Sequence, residues 1–111
     1  MRIYKILRAG EWAALERHGE TSGAPIDEAD GFIHFSTADQ VAETAAKHFA
    51  GLEGLVLAAF EADALGPALR WEPSRGGALF PHLYAPLRRD DVLWHADLPL
   101  EDGAHRFPEG L

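Results

Sequence analysis

The sequence predicts an α+β fold with about six short, mostly antiparallel strands and two short helices early in the chain. In residues 2–7, which are rich in β-forming types, successive side chains would face opposite sides of a strand. Residues 55–60 form a continuous apolar run. Between them, two segments carry apolar side chains at helical spacing and are followed by glycine. The chain has 111 residues, 47% of them apolar, which is enough for one core but not for two. We therefore expect a single domain over residues 1–111.

The first three segments are predicted to be a strand, a helix and a loop. Residues 2–7 are rich in β-forming types and form the first strand. Residues 10–18 form a short helix, because Trp12 and Leu15 share one face and a glycine follows. Residues 19–30 are polar and contain glycine and proline, so we predict a loop there.

Residues 31–36 are predicted to form the second strand and to lead directly into the second helix. The period of two in a strand places His34 and Ser36 on one face. Thr37 is a suitable N-cap, and Gln40 stands three residues later, as in a capping box. This junction carries the clearest local signal in the chain.

The second half of the chain contains three further strands and the buried central one. The predicted elements are a central strand, a helical turn or loop, a brief strand, another strand and a last short strand, at residues 55–60, 63–69, 70–72, 79–84 and 92–96. Residues 73–77 are a loop by their proline and glycine content. Pro81 would place its strand at a sheet edge or bulge, and residues 97–111 are expected to be irregular.

Composition and charge limit the classes of function. The formal net charge is −8, which disfavours a general nucleic-acid binder and an anionic membrane surface. A small anionic ligand remains compatible, since a few arginines can converge in one pocket. The absence of cysteine excludes disulfides, thiolate nucleophiles and cysteine-ligated metals. With no apolar stretch of membrane-spanning length and no secretory signal, we expect a bacterial-type cytoplasmic protein, and the oligomeric state stays open.

His34 is the first candidate functional residue. It lies in an apolar strand, where a histidine is desolvated and needs a partner. Ser36 points the same way, and Thr37 begins a helix whose free N–H groups can bind an anion. The alternative is a core histidine bonded to the backbone, with Thr37 acting only as a cap.

His82 is the second candidate, and it also lies in an apolar strand, with Tyr84 on the same face. Histidine suits acid–base work because its ordinary pKa lies nearest neutrality. The alternative is an edge-strand histidine fixed by the rigid Pro81.

Glu72 and Arg75 lie on either side of a proline–serine pair and next to the Gly76–Gly77 loop. Arginine can grip a carboxylate or phosphate through two hydrogen bonds. The alternative, which the sequence favours slightly, is a solvated loop with an arginine–glutamate pair.

No helical metal motif is present, because neither HxxxH nor HExxH spacing occurs. We predict no metal ligand from local spacing. A site assembled in space from His34, His82 and a carboxylate is the remaining metal alternative.

Two sequence blocks resemble a known family. They are Phe-Ile-His-Phe-Ser-Thr at residues 32–37 and Leu-Phe-Pro-His-Leu-Tyr at residues 79–84. Together with Ile-Tyr-Lys-Ile at residues 3–6 and Arg-Trp-Glu at residues 70–72, they are similar to the DUF952 family, over about residues 2–93. That family is uncharacterised, and it more distantly resembles the ADP-ribosyltransferase-like fold, which includes RNA 2′-phosphotransferases.

The resemblance implies a split pair of β-sheets that forms a cleft for NAD or a related nucleotide. It further implies a transferase acting on NAD or on an ADP-ribosyl or phosphoryl substrate. By this resemblance the candidate catalytic residues are His34 and His82, and the candidate ligand-binding residues are Lys5, Ser36, Thr37, Glu72, Arg75 and Tyr84.

This chain departs from that pattern at two positions. Lys5 stands where many relatives have histidine, and His82 stands where typical ADP-ribosyltransferases have a catalytic glutamate. The second departure favours an alternative function, a catalytically inactive domain that binds a nucleotide or another small molecule.

Overall fold

Two antiparallel sheets, of four and three strands, organise the chain. The computed structural model describes the backbone of residues 1–111 and every side chain except that of Arg75. The strands are β1 (Arg2–Leu7), β2 (Glu20–Thr21), β3 (Ile33–His34), β4 (Ser36–Thr37), β5 (Leu55–Glu61), β6 (Leu69–Pro73), β7 (Leu79–Leu83), β8 (Leu87–Arg88), β9 (Trp94–Leu98), β10 (Leu100–Glu101) and β11 (Ala104–His105). The α-helices are α1 (Ala9–His18), α2 (Pro25–Asp30) and α3 (Ala38–His48), and 3₁₀ turns cover Ala62–Ala68, Arg75–Gly77 and Arg89–Asp91. The α+β class is confirmed, with more and shorter elements than the sequence predicted.

The four-stranded sheet has the order β4-β1-β5-β9 and is covered on both faces. Strand β5 pairs with the whole length of β1, and its first six residues are buried. Helix α3 packs Val41 and Ala45 on one face of this sheet. Helix α1 packs Trp12 and Leu15 into the core on the other face. The prediction that residues 55–60 form a buried central strand is confirmed.

Strand β1 sends alternate side chains into two separate cores. Ile3 and Leu7 belong to the core that also holds residues of the three-stranded sheet, whereas Tyr4 and Ile6 contact α3. Lys5 falls on the same face as Ile3 and is only 7% exposed. A buried cation therefore lies between the two sheets, and it requires a charged partner there.

The three-stranded sheet has the order β3-β7-β6, so the edge position expected for Pro81 is wrong. The Pro81 carbonyl accepts a hydrogen bond of 3.0 Å from the Phe35 N–H. In an antiparallel strand the N and C=O of one residue face the same neighbour, so the missing proline N–H also faces Phe35. Phe35 lies just past the end of β3, and the proline interrupts the ladder only where the ladder already ends.

The single strand predicted for residues 31–36 is two short strands in different sheets. Strand β3 pairs with β7, and β4 pairs with β1. Phe35 lies between them and is buried. The chain thus crosses from one sheet to the other within five residues, which splits the sheets apart at this point.

Two segments expected to be irregular contain secondary structure. Residues 19–30 hold β2, which pairs with β8, and α2, which begins at Pro25. Proline at the first helical position is favourable because its missing N–H has no partner to lose there. Residues 97–111 contain the β10–β11 hairpin, which is closed by two residue pairs.

The two predicted helices are confirmed, and α3 begins as its sequence indicates. The Gln40 side chain accepts a 3.0 Å hydrogen bond from the Thr37 N–H, which satisfies one of the free donors at the helix start. The Gln40 amide also donates to the Leu79 carbonyl at 2.7 Å and so ties α3 to the three-stranded sheet. Across the part of the chain that the structure describes, no helix is long and apolar enough to cross a membrane.

Candidate functional site

A cavity of about 400 Å³ opens where the two sheets separate. Four of the residues singled out in the sequence line it: Lys5, His34, Ser36 and His82. His34 and His82 are paired directly across β3 and β7, and their ring centroids are 5.5 Å apart. The structure therefore brings both candidate histidines to one wall of one cavity.

The other four candidates have different positions. Thr37 and Glu72 lie outside the cavity lining, and Tyr84 lines a second, neighbouring cavity together with Phe32. The side chain of Arg75 lies outside what the structure describes. The proposed anion clamp at that residue therefore stays a prediction.

Asp27, which the sequence did not single out, is the hub of the site. Its side chain is fully buried, and its Oδ2 atom lies 3.0 Å from Lys5 Nζ. Oδ2 also accepts from the Ala24 N–H at 2.7 Å. Its Oδ1 atom accepts from the His34 N–H at 3.0 Å and lies 2.6 Å from His34 Nδ1. One carboxylate thus joins the loop before α2 to β1 and β3.

The pKa of Asp27 reflects two opposing effects. Burial of the carboxylate raises the pKa, because desolvation disfavours the charged form. Hydrogen bonding from His34 and the charge of Lys5 outweigh burial and lower the pKa from 3.8 to about 2. Asp27 is therefore ionised at neutral pH, as the partner that the buried Lys5 requires.

Each ring nitrogen of His34 faces a carboxylate. Nδ1 lies 2.6 Å from Asp27 and Nε2 lies 2.9 Å from Asp30, and the ring is about one-third exposed. A carboxylate only accepts hydrogen bonds, so His34 can donate to both only as the imidazolium cation. The two contacts fix the orientation of the ring.

His82 is arranged differently, with only one nitrogen engaged by a described side chain. The residue is 4% exposed, and Nδ1 lies 2.8 Å from Glu72 Oε1. No described group lies within hydrogen-bonding distance of Nε2. Because Glu72 accepts from Nδ1–H, the neutral ring carries its lone pair on Nε2. His82 therefore offers the cavity wall a buried and oriented base.

Glu72 joins His82 to Tyr84. The Tyr84 hydroxyl donates to the same Oε1 atom at 2.7 Å. Hydrogen bonds from His82 and then Tyr84 lower the pKa of Glu72. The bond to Glu72 is the main cause that raises the pKa of Tyr84, so the phenol stays protonated. Glu72 and Tyr84 act on the cavity through His82 rather than from its lining.

Phe32 holds the His82 ring in place. The two rings are stacked, with centroids 4.1 Å apart and an interplanar angle of 29°. Phe32 also contacts His34 and Tyr84, at centroid distances of 4.6 Å and 5.3 Å. Offset aromatic contacts of this kind restrict ring rotation and add to the apolar burial.

The hydroxyls expected beside His34 are engaged on α3. Ser36 is buried, and its Oγ lies 2.9 Å from Thr44 Oγ1. Both residues line the cavity. The Thr37 N–H is satisfied by the Gln40 side chain. The pair Ser36 and Thr44, rather than Thr37, supplies the hydroxyls at the cavity wall.

Gly23 controls the position of Asp27. Its φ is +92°, and an added Cβ would lie 2.8 Å from Asp27 Cγ and closer still to the Oδ2 atom. Gly51 also has a positive φ, +75°, but an added Cβ there would meet only open space. Comparing an alanine substitution at each glycine therefore separates the cost of backbone strain from the cost of crowding Asp27.

We expect Gly23→Ala to lower the free energy of unfolding by about 2–4 kcal/mol, from left-handed strain plus displacement of the buried carboxylate. Gly51→Ala, the matched control, should cost about 1 kcal/mol from strain alone. Urea unfolding followed by tryptophan fluorescence measures both. Equal losses in the two variants would show that the contact with Asp27 carries no energetic weight.

A metal site built from these side chains finds no support. Among the described residues no group of three or more histidine, aspartate or glutamate side chains could hold a metal ion. His34 and Asp27 contact each other directly, and so do His82 and Glu72.

Comparison with known proteins places the chain in a family. The family described as a protein of unknown function, DUF952, matches residues 6–95. The chain belongs to the DUF952 family. The crystal structure of protein CC0527 from Caulobacter crescentus is similar, with 52% identity and a TM-score of 0.92, covering 96% of this chain and 94% of that one. The solution NMR structure of CC0527 has 52% identity and a TM-score of 0.84, covering 94% and 90%.

No curated protein matches the chain. The DUF952 membership inferred from the Phe-Ile-His-Phe-Ser-Thr and Leu-Phe-Pro-His-Leu-Tyr blocks is confirmed. In this DUF952 protein those two blocks supply the paired β3 and β7 segments that carry His34 and His82.

Proposed function

We propose that this protein is an ADP-ribosyltransferase-like enzyme that binds NAD or a related nucleotide in the cavity between the sheets. His82 is its acid–base group. The observation that carries the proposal is the buried His82 ring, held at Nδ1 by Glu72 while Nε2 has no described partner. A buried histidine oriented through one nitrogen, whose other nitrogen has no described partner, suits general acid–base catalysis.

The Glu72–His82 pair has the chemistry of an oriented general base. The carboxylate fixes the tautomer with hydrogen on Nδ1 and stabilises the imidazolium that forms when Nε2 takes a proton. The His82 ring cannot turn away, because it is stacked on Phe32. The Tyr84 hydroxyl holds the carboxylate in turn.

His34 supplies orientation at the same wall. With Nδ1 and Nε2 both facing carboxylates, it polarises or orients a ligand instead of exchanging protons with it. The two histidines thus divide the roles, with an orienting group at His34 and an acid–base group at His82.

The reaction can be written with NAD as substrate and water as the simplest acceptor. The bond between ribose C1′ and the nicotinamide nitrogen breaks, and nicotinamide leaves as a neutral molecule. A bond forms between C1′ and the water oxygen, and the water proton passes to His82 Nε2. The split antiparallel sheets, with the cavity at their point of separation, support the assignment to this fold group.

A second candidate is a nucleotide-binding domain without chemistry. This candidate is favoured because both carboxylates of the cavity lining already have partners within the protein. Asp27 accepts from Lys5, His34 and Ala24, and Asp30 faces His34. No carboxylate of the described lining is left to stabilise positive charge on a ribose. This candidate predicts ligand binding with no product at any pH.

We expect calorimetry to detect saturable binding of NAD or ADP-ribose with a dissociation constant of about a millimolar or tighter. Release of nicotinamide, followed by chromatography, then separates the enzyme from the binding domain. Binding with release supports the enzyme, and binding without release supports the second candidate. Absence of binding by both ligands would overturn both candidates.

A further inference from the structure

We propose that Arg8 grips the phosphate groups of the nucleotide, an inference that rests on the proposed function. The preferred ligand is then a phosphorylated nucleotide rather than a nucleoside. Arg8 follows β1 directly and lines the cavity. It stands on the wall formed with α3, whereas His82 belongs to β7.

The Arg8 guanidinium is held in place by an aromatic ring. Its Cζ lies over the Phe49 ring, 5.1 Å from the centroid, and Phe49 also lines the cavity. The cation–π contact holds the guanidinium against the ring and uses none of its five N–H donors. Glu11 engages only one of these nitrogens, at 3.4 Å. A planar donor held in this way matches the oxygens of a phosphate.

The charges around the cavity also favour an anion at Arg8. Among the described side chains of the lining, Asp27 is matched by Lys5, and Asp30 is bonded to His34. The partner of Arg8, Glu11, lies outside the lining, and the Arg8 side chain is 48% exposed. In a chain of net charge −8, an anionic ligand needs local positive charge. Arg8 provides it at the cavity wall.

The hydroxyls of Ser36 and Thr44 line the same region as Arg8. Ser36 lies on β4 and Thr44 on α3, and both line the cavity with Arg8 and Phe49. Thr44 donates to the Gln40 carbonyl at 3.2 Å, and its Oγ1 lies 2.9 Å from Ser36 Oγ. With each hydroxyl proton engaged within the protein, the feature of this wall that attracts an anion is the charge of Arg8.

Arg89 provides a matched control. Its Cζ lies 5.0 Å from the Trp12 ring centroid, and its side chain lies 3.9 Å from Glu16. It repeats the stacking and the acidic partner of Arg8, but it lies outside the cavity lining. Removing either arginine changes the net charge of the chain equally.

The test is calorimetry with ADP-ribose and with adenosine, which lacks the two phosphates and the second ribose, on wild type, Arg8→Gln, Arg8→Lys and Arg89→Gln. We expect Arg8→Gln to weaken ADP-ribose binding about tenfold or more and to leave adenosine binding within about twofold. Arg8→Lys should recover part of the loss, because lysine keeps the charge without the planar donors. Arg89→Gln should change neither affinity, and thermal unfolding checks that all variants fold.

Equal effects of Arg8→Gln and Arg89→Gln on ADP-ribose would overturn the inference while leaving the proposed function intact. An equal loss for ADP-ribose and adenosine in Arg8→Gln would also overturn it, because the residue would then act on the shape of the site. Wild-type protein that binds neither probe would overturn the proposed function and this inference with it.

Discussion

Asp27→Asn is expected to lower the free energy of unfolding by about 3–5 kcal/mol, because removing one member of a buried ion pair leaves the other uncompensated. Lys5 is 7% exposed and lies 3.0 Å from the Asp27 carboxylate. The neutral amide no longer balances that charge, and its N–H₂ group cannot accept from the donors that Asp27 now satisfies.

Asp30→Asn is the matched control for this substitution. Asp30 contacts the same histidine, at 2.9 Å, but its side chain is 43% exposed. Exposed pairs contribute little, so we expect a loss below about 1 kcal/mol. Urea unfolding gives both values, and similar losses for Asp27→Asn and Asp30→Asn would contradict the role of Asp27 as the hub of the site.

The same carboxylate predicts a pH dependence of stability. Its pKa is about 2 in the folded protein against 3.8 in the reference state. Because the pKa of Asp27 is lower in the folded state, its carboxylate stabilises the folded form at any pH above the reference pKa. That contribution is lost as the pH falls from about 4 toward 2. A depression of about two units corresponds to about 2–3 kcal/mol. Wild type should lose this much more stability than Asp27→Asn over that interval, and parallel curves would contradict the assignment.

His82→Gln is expected to lower nicotinamide release from NAD by about 10²–10⁴-fold, the range typical for loss of a general base. Glutamine can still bond to Glu72 but has no basic nitrogen to replace Nε2. Binding of ADP-ribose should weaken much less than turnover. The expected signature is therefore a fall in kcat with a small change in affinity.

His105→Gln is the control for this experiment. His105 bonds to the Leu52 carbonyl at 2.8 Å and lies outside the cavity lining. Its substitution should leave both turnover and binding unchanged. A His82→Gln enzyme with wild-type turnover would remove His82 from the chemistry, whatever its place in the cavity.

The parts of the fold that depend on local pattern could be predicted from the sequence. Strands β1 and β5 and helices α1 and α3 follow their apolar periodicity and their caps closely. The crossing at Phe35 could not be read in this way, because the alternation of side chains continues while the strand changes sheets. The central position of β7 in its sheet could not be predicted. Pro81 is tolerated there because its missing N–H faces Phe35, just past the end of β3, and the sequence does not show where β3 ends.

In the site, too, residues marked by local pattern could be predicted, and a residue defined by tertiary contacts could not. His34 and His82 stood out because each is a polar residue in an apolar strand, and the structure places both at one cavity. Asp27 was missed because it is one acid among several in a segment that looked solvated. Its burial depends on Lys5, twenty-two positions earlier, and on His34 in another element. Pro25 and Gly31 did carry the signal for α2, a proline at its start and a glycine past its end.

The central claim is that His34 and His82 share one nucleotide-binding cavity. The most direct test is NMR of the imidazole side chains during titration with ADP-ribose. We expect the ring signals of His34 and His82 to shift along one saturation curve, and those of His105 to stay constant. Saturable binding of ADP-ribose that leaves both cavity histidines unchanged would contradict the claim.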